Sequence, residues 1–411
     1  MSSAVAGKRI LILGGTLISC EIVKTAREMG LFVGVADYNP VEKSPAKKIA
    51  DKAYLVNALD VDAVVDLIRT EKYDGVLCGF ADVLLPAYAD ICKKAGLPAY
   101  GTREQFELYT DKEQYKQLCR KYYVPCVQEY EIDPEHIEKT AAAVSYPIMV
   151  KPADSSGARG ITICNNAGEL IAAIRKAESF SAAKKVIVEQ YLTGKEVTVF
   201  WLFKDGEYYM TCIGNRHVKK NQEGVIPLPV GYTYPAQITE KYIHDIVPKA
   251  KDMFKGSGIK NGMMFMQCKV EGEECIVYDI GYRLTGSLEY GMLEELCGYN
   301  PMKMMIAYAV TGSMGEPELE KKVDPFFHGE YGYNVSILGK PGKIEHINGV
   351  DEVKKQVGVL DAVLAHLPGE TITQEMKGLL SQIVVRILGT APDKAALKKR
   401  MSQVYDTIQD L

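Results

Sequence analysis

Residues Val277–Arg283 read VYDIGYR, and LTGS follows. An aspartate closes an apolar run, a glycine stands two positions later, and an arginine two after that. An acid at the end of a buried strand is a common place for a Mg²⁺ ligand, because oxygen donors suit that ion. An arginine two pleats further on can meet a phosphoryl group held by the metal. A simple Asp279–Arg283 ion pair is the plainer alternative. The strand before it, FMQCKV, makes the other half of a hairpin, and the question is what needs this arrangement.

Working outward, apolar strands recur with polar punctuation. Residues 8–100 alternate strand and helix: KRILILGG, TLISCEIVKTAREMG, LFVGVADYN, KAYLV, VDAVVDLIRTEK, GVLCGF and LLPAYADICKKAG. This is the βαβ rhythm of a parallel sheet. Gly14-Gly15 could receive a phosphate at a helix N-terminus, but GGTLIS lacks the G-x-G-x-x-G fingerprint. A tight strand-to-helix turn is the simpler reading, and Asp37 as a ribose ligand falls with the fingerprint. After YGTREQFELYTDK the order becomes α+β. Helices are expected at 113–122 and 134–144, then strand PIMVK, loop ADSSGARG, strand ITIC, helix AGELIAAIRKAES and strand KKVIVEQYL. The strands EVTVFWLF and YYMTCIG, joined by KDGE, precede a polar loop, RHVKKNQEGVIPLPVGYTYPAQ. A helix over 239–257, the hairpin and a helical region near 287–312 follow. From 313 the sequence mixes short strands, YNVSIL and KIEHI, with a final helix. No internal repeat or low-complexity segment appears.

The candidate chemistry is distributed along this order. Lys151 ends a strand and runs into a small glycine-bearing loop, a placement that suits a polyphosphate: the ammonium neutralises charge and backbone N–H groups can approach. Lys112 sits in TDK before a helix. VIVEQYL offers a strand backbone to an adenine edge, and Glu196 a carboxylate to ribose hydroxyls. Each has a bland counterpart: a surface lysine, an ordinary glycine turn, a solvated strand-end charge.

Their order and spacing resemble the ATP-grasp superfamily, in the branch with biotin carboxylase, carbamoyl-phosphate synthetase and the amino-acid ligases. The segments that carry the resemblance are TDK, YPIMVKPADSSGARG, VIVEQYLTGKE and FMQCKV…VYDIGYRLTGS, over residues 8–312. The resemblance implies a Rossmann-like pre-ATP-grasp domain (1–100) and an ATP-grasp domain (101–312) with a mobile lid at about 113–192. A small C-terminal α+β region (313–411) would follow, giving a chain of mixed α/β and α+β class. It also implies roles. Lys112 and Lys151 would contact the nucleotide phosphates. The loop containing Ser155, Ser156, Gly157 and Gly160 would close over them. Glu189, Gln190, Tyr191 and Leu192 would hold adenine, mostly through backbone atoms, and Glu196 ribose. Arg283 would stabilise an acyl phosphate.

The metal positions depart from the family's pattern. The usual last strand reads E-x-N-x-R, with a second glutamate twelve residues before the first. Here the acid is Asp279, Gly281 replaces the asparagine, and Gln267 stands where the glutamate would be. Asp279 and Gln267 are the metal candidates, with Glu289 a nearby acid that could be borrowed. Arg216 and His217 open the polar loop where relatives place groups near the acyl phosphate. His217 is a base or a plain hydrogen-bonding histidine. Lys219 and Lys220 bind an anionic substrate or are solvated.

Composition narrows the class. The 411 residues carry a formal net charge of −4 with 47% hydrophobic residues, ordinary for a globular protein and unlike a nucleic-acid binder. No apolar run approaches a membrane span, and the first residues lack a signal peptide's layout. The ten cysteines show no C-x-x-C pair and no evident electropositive motif, so they read as reduced packing residues in a cytoplasm. The expectation is a cytoplasmic, ADP-forming ligase that uses ATP and Mg²⁺ to join a small-molecule carboxylate and an amine. A homodimer is the assembly the resemblance suggests. Two alternatives are a nucleotide-binding protein with impaired catalysis and a bicarbonate-using enzyme of the carboxylase or carbamoyl-phosphate type.

Overall fold

The computed structural model describes residues 2–132, 136–153, 160–219 and 227–408. Four short strands, β1 (Arg9–Leu13), β2 (Phe32–Asp37), β3 (Lys52–Leu55) and β4 (Gly75–Cys78), form a sheet in the order β3-β2-β1-β4, all parallel. The near-continuous apolar sequences of β1, β2 and β4 suit burial on both faces, whereas β3 is an exposed edge strand. The order reverses direction between β1 and β4, and the crevice at such a reversal is where open α/β sheets bind ligands.

A second sheet contains β5 (Glu129–Tyr130), β6 (Ile148–Pro152), β7 (Thr162–Cys164) and β8 (Val186–Gln190), ordered β5-β8-β6-β7. It closes around a core of its own, with Ile148, Val150, Leu170, Ile174 and Val188 buried together.

The third sheet has eight strands. In chain order its members are β9 (Lys195–Lys204), β10 (Glu207–Lys219), β11 (Leu228–Tyr234), β12 (Gly262–Glu271), β13 (Glu274–Gly281) and β14 (Tyr331–Leu338). The short strands β15 (Gly342–Lys343) and β17 (Thr371–Ile372) pair with each other. Between and after them, β16 (Val359–Leu364) and β18 (Ile383–Ala391) complete the large sheet. Its order is β13-β12-β9-β10-β11-β14-β18-β16. Two of its features correct the sequence reading. The expected polar loop from Arg216 is strand: β10 runs on to Lys219 and β11 takes up seven of the following residues. The polar residues there alternate faces, and that alternation in a strand with one polar face looks like loop composition. Second, the last hundred residues supply β14, β16 and β18 to this sheet, and the long apolar strand IVVRILGTA was not anticipated.

The expected helix over 239–257 is two, Thr239–Asp245 and Val247–Gly256, since Pro248 restricts the preceding backbone and starts a new helix well. One continuous apolar cluster joins the parallel sheet to β9, β12 and the helix Pro301–Thr311. Among the described residues no helix is long and apolar enough to cross a membrane.

Candidate functional site

The paired rungs of the large sheet define a face. Directly opposed residues in antiparallel strands share a face, and so do residues two apart on one strand. Asp279 opposes Gln267 across β13–β12, and Gln267 opposes Thr198 on β9. Lys269, two residues from Gln267, opposes Glu196. The two metal candidates therefore sit side by side as a carboxylate and an amide carbonyl. No group of three or more His, Cys, Asp or Glu side chains that could cage a metal occurs among the described residues. Two oxygen donors fit Mg²⁺, which keeps waters and leans on one or two carboxylates plus phosphates.

The glycine of VYDIGYR has a steric cause. A Cβ on Gly281 would lie 2.3 Å from the Cε1 and Cζ atoms of Phe265, the residue opposite it on β12. The aromatic ring fills the space that a side chain at 281 would need. The same ring lies 5.1 Å from the Arg283 guanidinium carbon, within cation–π range. Tyr282, between them, turns the other way. Its hydroxyl shares its one proton between Tyr100 O (2.7 Å) and Asn261 O (2.5 Å), which ties the strand end to the segment after the parallel sheet.

Arg283 does not pair with Asp279. Its Nε and one terminal nitrogen donate to the two oxygens of Asp82, at 2.6 and 2.8 Å, and the other nitrogen donates to Leu284 O at 2.9 Å. Asp82 opens a short helix just beyond β4, at the carboxyl end of the parallel strands and beside the crevice. The bidentate pair thus joins the first sheet to the third. Asp82 escaped the sequence reading, although an acid in the turn after a parallel strand is a signal that could have found it. Gly15, at the end of β1, is a packing turn. A Cβ there would overlap Ser44 Oγ, and its N–H donates to Asp37 (3.0 Å), whose other oxygen accepts from Asn39 N (2.7 Å). Asp37 is thereby used up by backbone.

The lysines converge through Glu189. Lys112 begins the helix Lys112–Lys121, which Asp111 caps by accepting from Glu113 N and Gln114 N. One turn on, Lys116 is fully buried and donates to Glu129 (2.5 Å) and Glu189 (2.7 Å). Lys151, on β6, donates to the other Glu189 oxygen. Burial opposes the charge on Glu189, but Lys151 and Lys116 outweigh it and hold its pKa below the usual carboxylate value. Burial pulls the Lys151 pKa down, with Glu189 acting against. The Asp279 pKa is pushed up by burial, offset in part by Lys112 and Lys151. Lys116 was missed; its signal is the i+4 spacing from Lys112 on the inner side of the helix.

Other sequence candidates are differently placed. Gln190 N donates to Gln128 O and Tyr191 N to Pro147 O, and Leu192 is buried, so the N–H groups of residues 190 and 191 are committed within the protein. Glu196 accepts from Arg216 and from the Tyr278 hydroxyl (3.3 Å), with Lys269 at 3.3 Å. Arg216 and His217 are neighbours on a strand and so point to opposite faces. Arg216 lies with Glu196, whereas His217 Nε2 meets Thr233 Oγ1 at 2.8 Å on the far side. They do not line one pocket. Lys219 is exposed. Gly160 has φ +75 and no room for a Cβ against Phe180 and Pro152; Ser155, Ser156, Gly157 and Lys220 lie outside the described residues. Glu289 is fully buried, with Oε2 accepting from Thr285 and Ser287 at 2.7 Å each. Burial raises its pKa to about 7, the behaviour of an enclosed acid rather than an open metal ligand. Nine cysteines are buried. Cys126 is half-buried, and its thiol is acidified by a hydrogen bond from Cys119, with Arg120 and Lys116 adding to the effect, so one cysteine does lie in an electropositive setting.

Glu189 thus ties Lys116 to Lys151, Asp82 ties Arg283 to the first sheet, and Asp279 lies beside Gln267 on the third. A family profile described as D-ala D-ala ligase C-terminus matches residues 118–260. The 2-oxoglutarate carboxylase small subunit of Hydrogenobacter thermophilus is 26% identical over 321 residues, 74% of this chain and 66% of that protein. The carbamoyl phosphate synthase large chain of Clostridium acetobutylicum is 24% identical over 70% of this chain and 26% of its own length. The chain thus spans just under two thirds of the first relative and about a quarter of the second. Among solved structures, the L-amino acid ligase from Bacillus licheniformis aligns over 99% of both chains, with a TM-score of 0.77 and 20% identity. The biotin carboxylase domain dimer of the Hydrogenobacter thermophilus enzyme, in complex with MgADP, ADP and bicarbonate, aligns over 98% of this chain and 90% of that one, with a TM-score of 0.79 and 18% identity. The chain has the ATP-grasp fold.

Proposed function

We propose that the protein is an ATP-dependent, ADP-forming carboxylate–amine ligase. The observation that carries this reading is the buried Lys151–Glu189–Lys116 cluster together with Asp279 paired to Gln267, within a fold shared end to end with an L-amino acid ligase. A carboxylate oxygen of the first substrate attacks the γ-phosphorus of ATP and ADP departs. The amine of the second then attacks the acyl carbon, orthophosphate leaves and the amine loses a proton. The protein positions the groups and neutralises charge. Lys112 and Lys151 meet the phosphates, and Glu189, held by Lys116, fixes the Lys151 ammonium. The residues from Glu189 to Leu192 border adenine and Glu196 borders ribose. Arg283, steadied by Asp82 and Phe265, faces the phosphoryl group in flight. Asp279 and Gln267 would hold Mg²⁺, which when bound supplies charge neutralisation between the phosphates. Small-molecule substrates, a cytoplasmic setting and a homodimer belong to the same proposal; a dimer is the state of the biotin carboxylase domain in its solved complex.

The test is orthophosphate release from ATP and Mg²⁺ with pairs drawn from the twenty amino acids. Release with at least one pair, lost on Lys151→Ala together with nucleotide affinity, is expected. Tight ATP binding without release for any pair would overturn the ligase reading. It would favour the second one, a nucleotide-binding protein with impaired catalysis, for which the missing third metal ligand at Gly281 speaks. Bicarbonate-dependent ATP hydrolysis would instead identify the carboxylase-type reaction.

A further inference from the structure

Among the described residues, Arg386 is a cation without a counter-charge. It lies in the middle of β18, opposite Ser336 on β14 and Val363 on β16, and is half-buried. The other half-buried arginines are all engaged: Arg9 with Glu71, Arg103 with Asp90, Arg216 with Glu196, Arg283 with Asp82, and Arg400 with Thr390 O. Among the described residues Arg386 has no hydrogen-bond or ion-pair partner. Burial pushes its pKa below the ordinary arginine value, and Tyr232 is the one group acting against that. A desolvated, unpaired guanidinium is costly, and a fold keeps one where something anionic completes it.

Its direction follows from register. Arg216 opposes Tyr232, Tyr232 opposes Asn334, and Asn334 opposes Leu388. Ser336 and Arg386 are two residues along from Asn334 and Leu388, so Arg386 shares the face of Tyr232, Arg216 and Glu196. Three strand spacings across and two residues along, about 16 Å in all, separate the backbones of Arg216 and Arg386, and Arg216 reaches the other way, to Glu196 and Tyr278. Tyr232 leans over Gly214 towards Thr198 Oγ1, 3.5 Å from its hydroxyl, and leaves the Arg386 end of the face open.

We propose that Arg386, with Ser336 beside it, is a specificity residue that binds the non-reacting carboxylate of an amino-acid substrate. The guanidinium fork matches a carboxylate in two parallel hydrogen bonds, which an ammonium cannot do, and the Ser336 hydroxyl adds a third donor. The inference rests on the ligase reading for its substrate class. The apolar neighbours on the same face, Leu388 among them, would set which side chain accompanies the carboxylate.

The probes are the twenty L-amino acids and their primary amides, in orthophosphate release with ATP and Mg²⁺ and in thermal protection with ADP and Mg²⁺. Wild type should favour a free acid over its amide by tenfold or more. Arg386→Gln should raise KM for the acid at least tenfold, abolish the acid-over-amide preference and leave ATP affinity unchanged, and Arg386→Lys should recover part of the preference. Phenylglyoxal labelling of the wild-type protein, read by peptide mass, gives an arm free of mutation: the Arg386 adduct should be suppressed by the acid and not by the amide. Equal KM in wild type and Arg386→Gln, equal loss for acid and amide, or labelling indifferent to the acid would each overturn the proposal. Acid-specific protection without any phosphate release would leave the carboxylate site standing and sink the ligase reading.

Discussion

A single aromatic ring explains the most irregular letter in the sequence. Gly281 stands where the family pattern has a metal-binding asparagine, and from sequence this reads only as a lost ligand. The cause is Phe265, across the hairpin, and it was hidden because register in this hairpin includes a bulge between Gln267 and Cys268. The consequence is measurable. Gly281→Asn should lower stability by about 2 kcal/mol or more, since overpacking a filled site costs about 1–3 kcal/mol. Phe265→Leu in the same chain should restore most of it in urea unfolding, whereas restoring the asparagine alone cannot rebuild the metal site. Glu289 makes a second prediction at this scale. Its pKa is raised to about 7 in the fold and is about 4.3 when unfolded, so the folded state holds the extra proton. Stability should therefore fall as pH rises from about 4 to about 7, by roughly 4 kcal/mol in all. Glu289→Gln should remove that slope, and the melting-temperature gap between mutant and wild type should widen in the mutant's favour from pH 5 to pH 8.

Elements were read unevenly, for physical reasons. The parallel strands and their helices announce themselves, because strands buried on two faces are apolar throughout and their punctuation is clean. The strands β10 and β11 do not, since one face carries polar groups such as Arg216 and Tyr232. The helix Lys112–Lys121 was legible, but its inner lysine was not: a buried lysine is rare and only the tertiary partners Glu129 and Glu189 make it tolerable. Removing one member of such a cluster strands the others. Lys116→Met should cost about 3–5 kcal/mol, seen as faster amide exchange in β8. It should also weaken nucleotide binding, because Glu189, left with one cation, holds Lys151 more tightly away from a phosphate.

At the scale of the molecule, the order of segments carried the fold correctly while the joints between them stayed invisible. The Asp82–Arg283 pair bridges residues 201 positions apart, a contact that no local pattern encodes. Asp82→Asn should keep the shape of the carboxylate and remove its charge, so Arg283 loses its orientation. The expected outcome is a tenfold or greater fall in kcat with little change in the KM for ATP, and a melting temperature lower by a few degrees. If KM for ATP rises in step with the loss of kcat, the pair positions nucleotide rather than the transferring group.

The continuity of the large sheet bears on how the chain can be divided. A fragment ending at Gly312 retains every residue assigned here to the nucleotide, yet β11 loses β14, its partner over four rungs from Gly231 to Tyr234. Bare peptide groups along that border offer a template to any extended segment nearby. Such a fragment should precipitate or self-associate on expression, and supplying residues 313–411 as a separate polypeptide should keep it dispersed.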